Sequence, residues 1–212
     1  MTRLIYVYDT LCGWCFVARP EISKLHAALP PDFEFRTLHA HLFTHDHPFP
    51  INDATLAMVK EVGWKVGPEK TGARMSEAYV SLLQTPGLVH ESGLSARAAA
   101  AADSLDPARA YDFEMALQGA VFEQGADFRD PQVVLTNWTA VGGAPDAMER
   151  ALADPETEKR QLETARMAHA LLARVGARGT PTLILEHQGR LSLLDAFDSD
   201  DALTRLRALG LA

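Results

Sequence analysis

Strand-forming sequence stands at the two ends of this chain, and about 125 residues of helical texture lie between them, from about residue 50 to residue 175. A single sheet joining the ends therefore carries the helical middle as an insertion. "RLIYVYD" is rich in β-branched and aromatic residues and ends at polar Asp9 and Thr10, which predicts a short, largely buried strand. In "WCFVARPEISKLHAAL" the apolar positions Phe16, Val17, Ile22, Leu25 and Leu29 keep a helical face, with Pro20 expected to kink it. "FEFRTLHAHLF", after the turn "LPPD", returns to alternation and predicts a second strand. A β-α-β opening of this kind sets its two strands parallel.

The middle predicts helices over about 52 to 63, 68 to 84 and 94 to 104. Three further helices start at Asp-Pro pairs, Asp106-Pro107, Asp130-Pro131 and Asp154-Pro155, with Asp as the cap and Pro in the first turn. Their starts fall 24 residues apart, but the segments that follow share nothing else and Gly142-Gly143 breaks the middle one, so the spacing is a coincidence rather than a repeat. The last of them runs to Val175 and stops at Gly176. "TPTLILEHQGRLSLLDAF" predicts two strands around a turn at Gln188-Gly189, and "SDDALTRLRALGL" a terminal helix capped by Ser199. The expected fold is α/β, a thioredoxin-like fold with a helical domain inserted between its β-α-β and β-β-α halves. Residues 1–48 and 155–212 would form the discontinuous thioredoxin-like domain and residues 49–154 the insert.

Composition narrows the function. With 28 acidic against 20 basic side chains the net charge of −8 repels nucleic acid and anionic membranes, and no basic cluster overrides it. No apolar run is long enough to span a bilayer, and the block in "MTRLIYVYDT" is too short for a secretory signal, so the expected location is the cytoplasm. Paired cysteines there are more often catalytic or metal-bound than structural.

Both cysteines fall in "CGWC", Cys12 and Cys15. Residues at i and i+3 of a helix have Cβ atoms roughly 5 to 6 Å apart, so the pair can form and break a disulfide in place. At the junction of strand and helix, Cys12 lies beside unpaired N–H groups that favour thiolate, which makes it the nucleophile; Cys15, one turn in, resolves the mixed disulfide. Gly13 lets a partner chain approach, and Trp14 either offers an aromatic surface beside the sulfur or simply packs. Zinc sites use the same spacing, and His39, His41, His45 and His47 stand close by as candidate ligands, with His39 and His41 expected on one strand face. "GTPTLIL" weighs for exchange, because Pro181 immediately before an apolar strand suits a cis bend facing the CxxC helix start. Asp9 is a candidate for relaying protons to the dithiol or for a turn role. Arg97 is expected in a surface ion pair, and Met58, Met75, Met115 and Met167 in helix packing.

"CGWC" near the amino terminus with "GTPT" near the carboxyl terminus resembles the DsbA-type thioredoxin-fold oxidoreductases, closest to the FrnE-like cytoplasmic branch, in which Asp precedes a C-x-W-C motif after the first strand. The resemblance extends over nearly the whole chain, though Thr10 stands where that branch commonly carries proline. It implies a disulfide oxidase or isomerase type of activity, with Cys12 as nucleophile, Cys15 as resolving cysteine, and Thr180 and Pro181 as the pair contacting sulfur and substrate backbone. It further implies cysteine-containing protein or peptide substrates, no cofactor beyond the dithiol itself, and a redox recycling partner, for which glutathione is a candidate. Two alternatives stand beside it: a glutathione-dependent isomerase or transferase resembling the 2-hydroxychromene-2-carboxylate isomerase and kappa-class proteins, which typically carry serine at the position of Cys12, and a noncatalytic zinc or redox-sensing module.

Overall fold

The computed structural model describes residues 2–211 and builds one four-stranded mixed sheet, in the order β2-β1-β3-β4. Strand β1 (Thr2–Tyr8) runs parallel to β2 (Glu34–His39) and antiparallel to β3 (Thr182–His187), which pairs with β4 (Arg190–Leu194). The two halves of the sequence therefore meet inside the sheet, between β1 and β3. Period-two alternation along β1 divides its side chains between two cores. Leu4, Tyr6 and Tyr8 face α1 (Gly13–Ala28) and α10 (Ser199–Ala208), while Ile5 and Val7 face α9 (Pro155–Val175). Burial on both faces is why β1 reads as a continuous apolar run.

Helices α2 (Asp53–Glu61), α3 (Gly67–Thr71), α4 (Glu77–Leu83), α5 (Gly93–Leu105), α6 (Pro107–Gln124), α7 (Pro131–Ala140) and α8 (Pro145–Ala153) fill the middle. Helices α5 to α8 bury an apolar cluster of their own around Phe113, Trp138 and Met148. Helix α6 ties this layer to the sheet domain: Phe122 stacks on Phe16 of α1 at 4.8 Å, and Arg19 of α1 reaches both the Met115 carbonyl and Glu123. All three Asp-Pro starts form as expected, with Asp106, Asp130 and Asp154 accepting from the N–H of Ala108, Gln132 and Glu156.

Several elements depart from the sequence-based expectations for physical reasons. Helix α2 does not stop near residue 63 but continues through a π-helical turn, Val62–Val66, into α3; the wider turn brings Gly63 against Met75, where a Cβ would lie 2.6 Å away. The expected helix over 68 to 84 is split, because Gly72 adopts φ 80 and turns the chain before α4 begins. Helix α1 runs unbroken through Pro20. Strand β2 ends at His39, and His41 has φ 48, so His39 and His41 do not share a strand face. The cap of α10 is Asp198, which accepts from the Asp201 N–H; the Ser199 hydroxyl donates to Glu21 instead. Met75 and Met115 are buried, whereas Met58 and Met167 are exposed. Arg97 pairs with Glu158.

Candidate functional site

The two cysteines are free thiols at the start of α1. Cys12 is the N-cap, with extended backbone (φ −77, ψ 113), its N–H donating to the Asp9 carbonyl and its own carbonyl accepting from Phe16. The turn before the helix thus points its sulfur across to the opposite loop, where the Cys12 thiol donates to the Thr180 carbonyl at 3.7 Å. The Thr180-Pro181 peptide is cis. Cys12 retains 7% of its surface and Cys15 none. The residues that the sequence singled out from opposite ends of the chain, Cys12, Cys15, Thr180 and Pro181, are thus brought together.

The environment separates the two thiols. The Cys15 thiol, placed to hydrogen-bond the Cys12 sulfur, holds Cys12 below the usual thiol value; burial opposes this, and Thr180 and the Cys15 amide add to the lowering. Burial pushes Cys15 well above the usual value, and a proton shared toward the Cys12 sulfur raises it further. The arrangement favours one thiolate with a little remaining access backed by one fully enclosed thiol, the asymmetry a two-step exchange requires.

Asp9 lies fully buried below the motif, and its role is visible in its bonds. One carboxylate oxygen accepts from the Leu11 N–H at 2.8 Å, the other from the Leu42 N–H at 2.8 Å and the Ser92 hydroxyl at 2.7 Å. It therefore clamps the end of β1, the segment after β2 and the start of α5 around the loop that presents Cys12. His39 extends this clamp, accepting from the His41 N–H at Nδ1 and meeting the Thr10 hydroxyl at Nε2. Burial lowers its pKa to about 4, so it is neutral in the working range. A Cβ at Gly13 would lie 3.0 Å from the Met75 methyl, so a larger residue there would have to push that methyl aside. Trp14 is 40% exposed, with its ring edge-on to Phe197 at 6.2 Å.

The histidines do not gather at the dithiol. His45 and His47 are exposed, and among the described residues no group of three His, Cys, Asp or Glu side chains is arranged to hold a metal ion. His41 and His45 instead border a cleft of about 630 Å³ between α5, α7, α8 and α9, lined also by Arg97 and Glu158. An apolar cavity of about 100 Å³ does adjoin Cys12.

Sequence reasoning missed the buried polar residues supplied by the insert. Glu114 and Gln118 of α6 are almost fully buried beneath the motif; Gln118 donates to the Thr10 carbonyl, and Glu114 accepts from Thr37 with its pKa raised to about 8 by burial. Their signal was present: two polar residues four apart inside the apolar stripe of Ala110, Phe113, Leu117 and Val121.

The family described as DSBA-like thioredoxin domain matches the chain over residues 3–207. No curated protein sequence matches it. Among solved structures, the cytosolic disulfide reductase DsbM from Pseudomonas aeruginosa is 26% identical, with a TM-score of 0.79 over 99% of this chain and 100% of that one. The same reductase solved with GSH gives 24% identity and a TM-score of 0.76 over 98% of each chain. A candidate protein disulfide isomerase from Nitrosomonas europaea has a TM-score of 0.80 over 98% of each chain at 15% identity, a likeness of fold alone.

Proposed function

This chain belongs to the family of DSBA-like thioredoxin domains, and we propose that within it the chain is a protein thiol-disulfide oxidoreductase acting through Cys12 and Cys15. The observation that carries this reading is the unequal pair: Cys12 capping α1 with its thiol lowered, Cys15 wholly buried behind it with its thiol raised. The Cys12 thiolate attacks a client disulfide, forms a mixed disulfide and releases one client thiolate. Cys15 then loses its proton and attacks the Cys12 sulfur, which releases the second client thiolate and leaves the Cys12–Cys15 disulfide. Two electrons pass to the client, and a thiol reductant returns them. The client backbone would lie along Thr180 and Pro181 beside the sulfur.

Reduction in the cytoplasm is the direction we favour, supported by the likeness to a cytosolic disulfide reductase and by the rarity of stable disulfides in that compartment. That reductase was solved with GSH, which supports glutathione as the recycling thiol here. Among the described residues no helix is long and apolar enough to cross a membrane.

Reduction of a protein disulfide such as that of insulin, followed with wild type, Cys12→Ser and Cys15→Ser, tests the reading. Cys12→Ser should abolish turnover, and Cys15→Ser should accumulate client covalently bound to Cys12. Turnover that survives Cys12→Ser, or an isomerisation of a small molecule as the only activity, would sink it in favour of the glutathione-dependent isomerase class.

A further inference from the structure

We propose that the apolar cavity beside Cys12 is a specificity pocket that takes one large aliphatic side chain flanking the reactive cysteine of a client segment. The inference rests on the exchange reading and extends it to the class of client.

The cavity has a volume of about 100 Å³ and Cys12 forms part of its lining. Three parts of the chain wall it: Phe43 and Phe49 after β2, Val59 and Val62 of α2 and the π turn, and Tyr79 with His90. No Asp, Glu, Lys or Arg lines it. Of its polar side chains, the Tyr79 hydroxyl lies 3.3 Å from His90 Nε2 while His90 Nδ1 is buried without a hydrogen bond, and burial holds His90 neutral with a pKa of about 4. A carboxylate or ammonium group entering this space would lose its hydration and meet no opposite charge, a single nitrogen of a neutral imidazole being its one open polar contact.

Size settles how much of a client can enter. A cavity of roughly 150 Å³ lined by aliphatic and aromatic groups holds benzene, so this smaller one fits the side chain of leucine, isoleucine or methionine. Glutathione as a whole, and molecules larger than benzene, are too large for it. Outside the mouth the apolar surface continues, since Trp14 and Met58 at the rim are 40% and 45% exposed. That places the rest of an extended segment against the same face as the sulfur.

The back wall is fixed and the outer wall can yield. Met75 sits between Gly13 and Gly63, its N–H bonded to the Gly63 carbonyl and its carbonyl accepting from Trp64 Nε1. Helix α2, by contrast, buries only Val59. Few contacts hold it, so it is the element that adjusts as a side chain enters.

The test is the rate of exchange between the reduced wild-type protein and a panel of peptide disulfides carrying Leu, Met, Phe, Ala, Asp or Lys immediately before or immediately after the cysteine. The expected result is kcat/KM for Leu or Met above Ala by about tenfold or more at one of the two flanks, and above Asp by roughly a hundredfold. Val62→Phe, which fills the cavity, should bring the Leu-to-Ala ratio toward one. If that variant does not fold, Met58→Asp at the exposed rim should turn the preference toward Lys. Exchange with every peptide at equal rate, or preference unchanged in both variants, overturns the pocket and leaves the exchange reading standing. Selective reaction with a small aromatic disulfide and none among the peptide disulfides also overturns it. Absence of exchange with any peptide counts against the proposed function itself.

Discussion

Glu114→Gln should stabilise this protein by an amount that grows with pH. The carboxyl group is buried, with one oxygen accepting from the Thr37 hydroxyl at 3.3 Å and the other without a hydrogen bond, facing the Tyr8 hydroxyl. Burial raises its pKa to about 8 in the folded protein, with the charge of Asp103 on α5 adding to the rise and the hydroxyls of Tyr8 and Thr37 opposing it. In the unfolded chain it titrates near 4.5. A carboxyl raised on folding contributes stability that is fully present below its unfolded pKa and is lost as pH rises through the folded one. Between those values the folded protein holds a proton that the unfolded chain has released, so stability falls by about 1.4 kcal/mol per pH unit. From pH 5.5 to 7.5 the loss is roughly 2.5 kcal/mol, allowing for partial titration at each end. Glutamine has the same shape and no such proton. Urea unfolding of both proteins at pH 5.5, 6.5, 7.5 and 8.5 gives the difference curve directly. His39 and His90, each with a pKa lowered to about 4, are common to both proteins and cancel. A difference that stays flat within about 0.5 kcal/mol across this range would refute the assignment of Glu114 as a carboxyl kept neutral by burial.

At mildly acidic pH, alkylation of the reduced protein should mark Cys12 before Cys15, because Cys12 alone has both the lowered thiol and residual exposure; peptide mapping showing equal labelling would remove the basis for calling Cys12 the nucleophile. Asp9→Ala should lower the urea midpoint by the equivalent of about 3 kcal/mol or more, since the Leu11 and Leu42 N–H groups and the Ser92 hydroxyl lose their acceptor inside the protein. A loss under about 1 kcal/mol would show that water replaces the carboxylate and that the clamp around the motif is not structural.

The elements legible in the sequence are those whose causes are local. Strand β1 announced itself because a strand buried on both faces needs apolar residues at every position, and the Asp-Pro starts of α6, α7 and α9 because a cap and a prefixed φ act within one turn. "CGWC" was legible for the same reason: cysteine spacing and the strand-to-helix junction are properties of neighbours in sequence. What the tertiary structure decided depends on residues far apart. Asp9 became a clamp only because the Leu42 amide and the Ser92 hydroxyl, 33 and 83 residues away, converge on it. The π turn at Val62–Val66 sets Gly63 against Met75, and the left-handed turn at His41 carries the Leu42 N–H to Asp9. The cavity beside Cys12 is assembled from residues between Leu11 and Phe122 that belong to no common periodicity. Hydrophobic patterning states which residues are buried, and long-range packing alone states against what; the chemistry of the dithiol is written in the first, and the choice of what may reach it in the second.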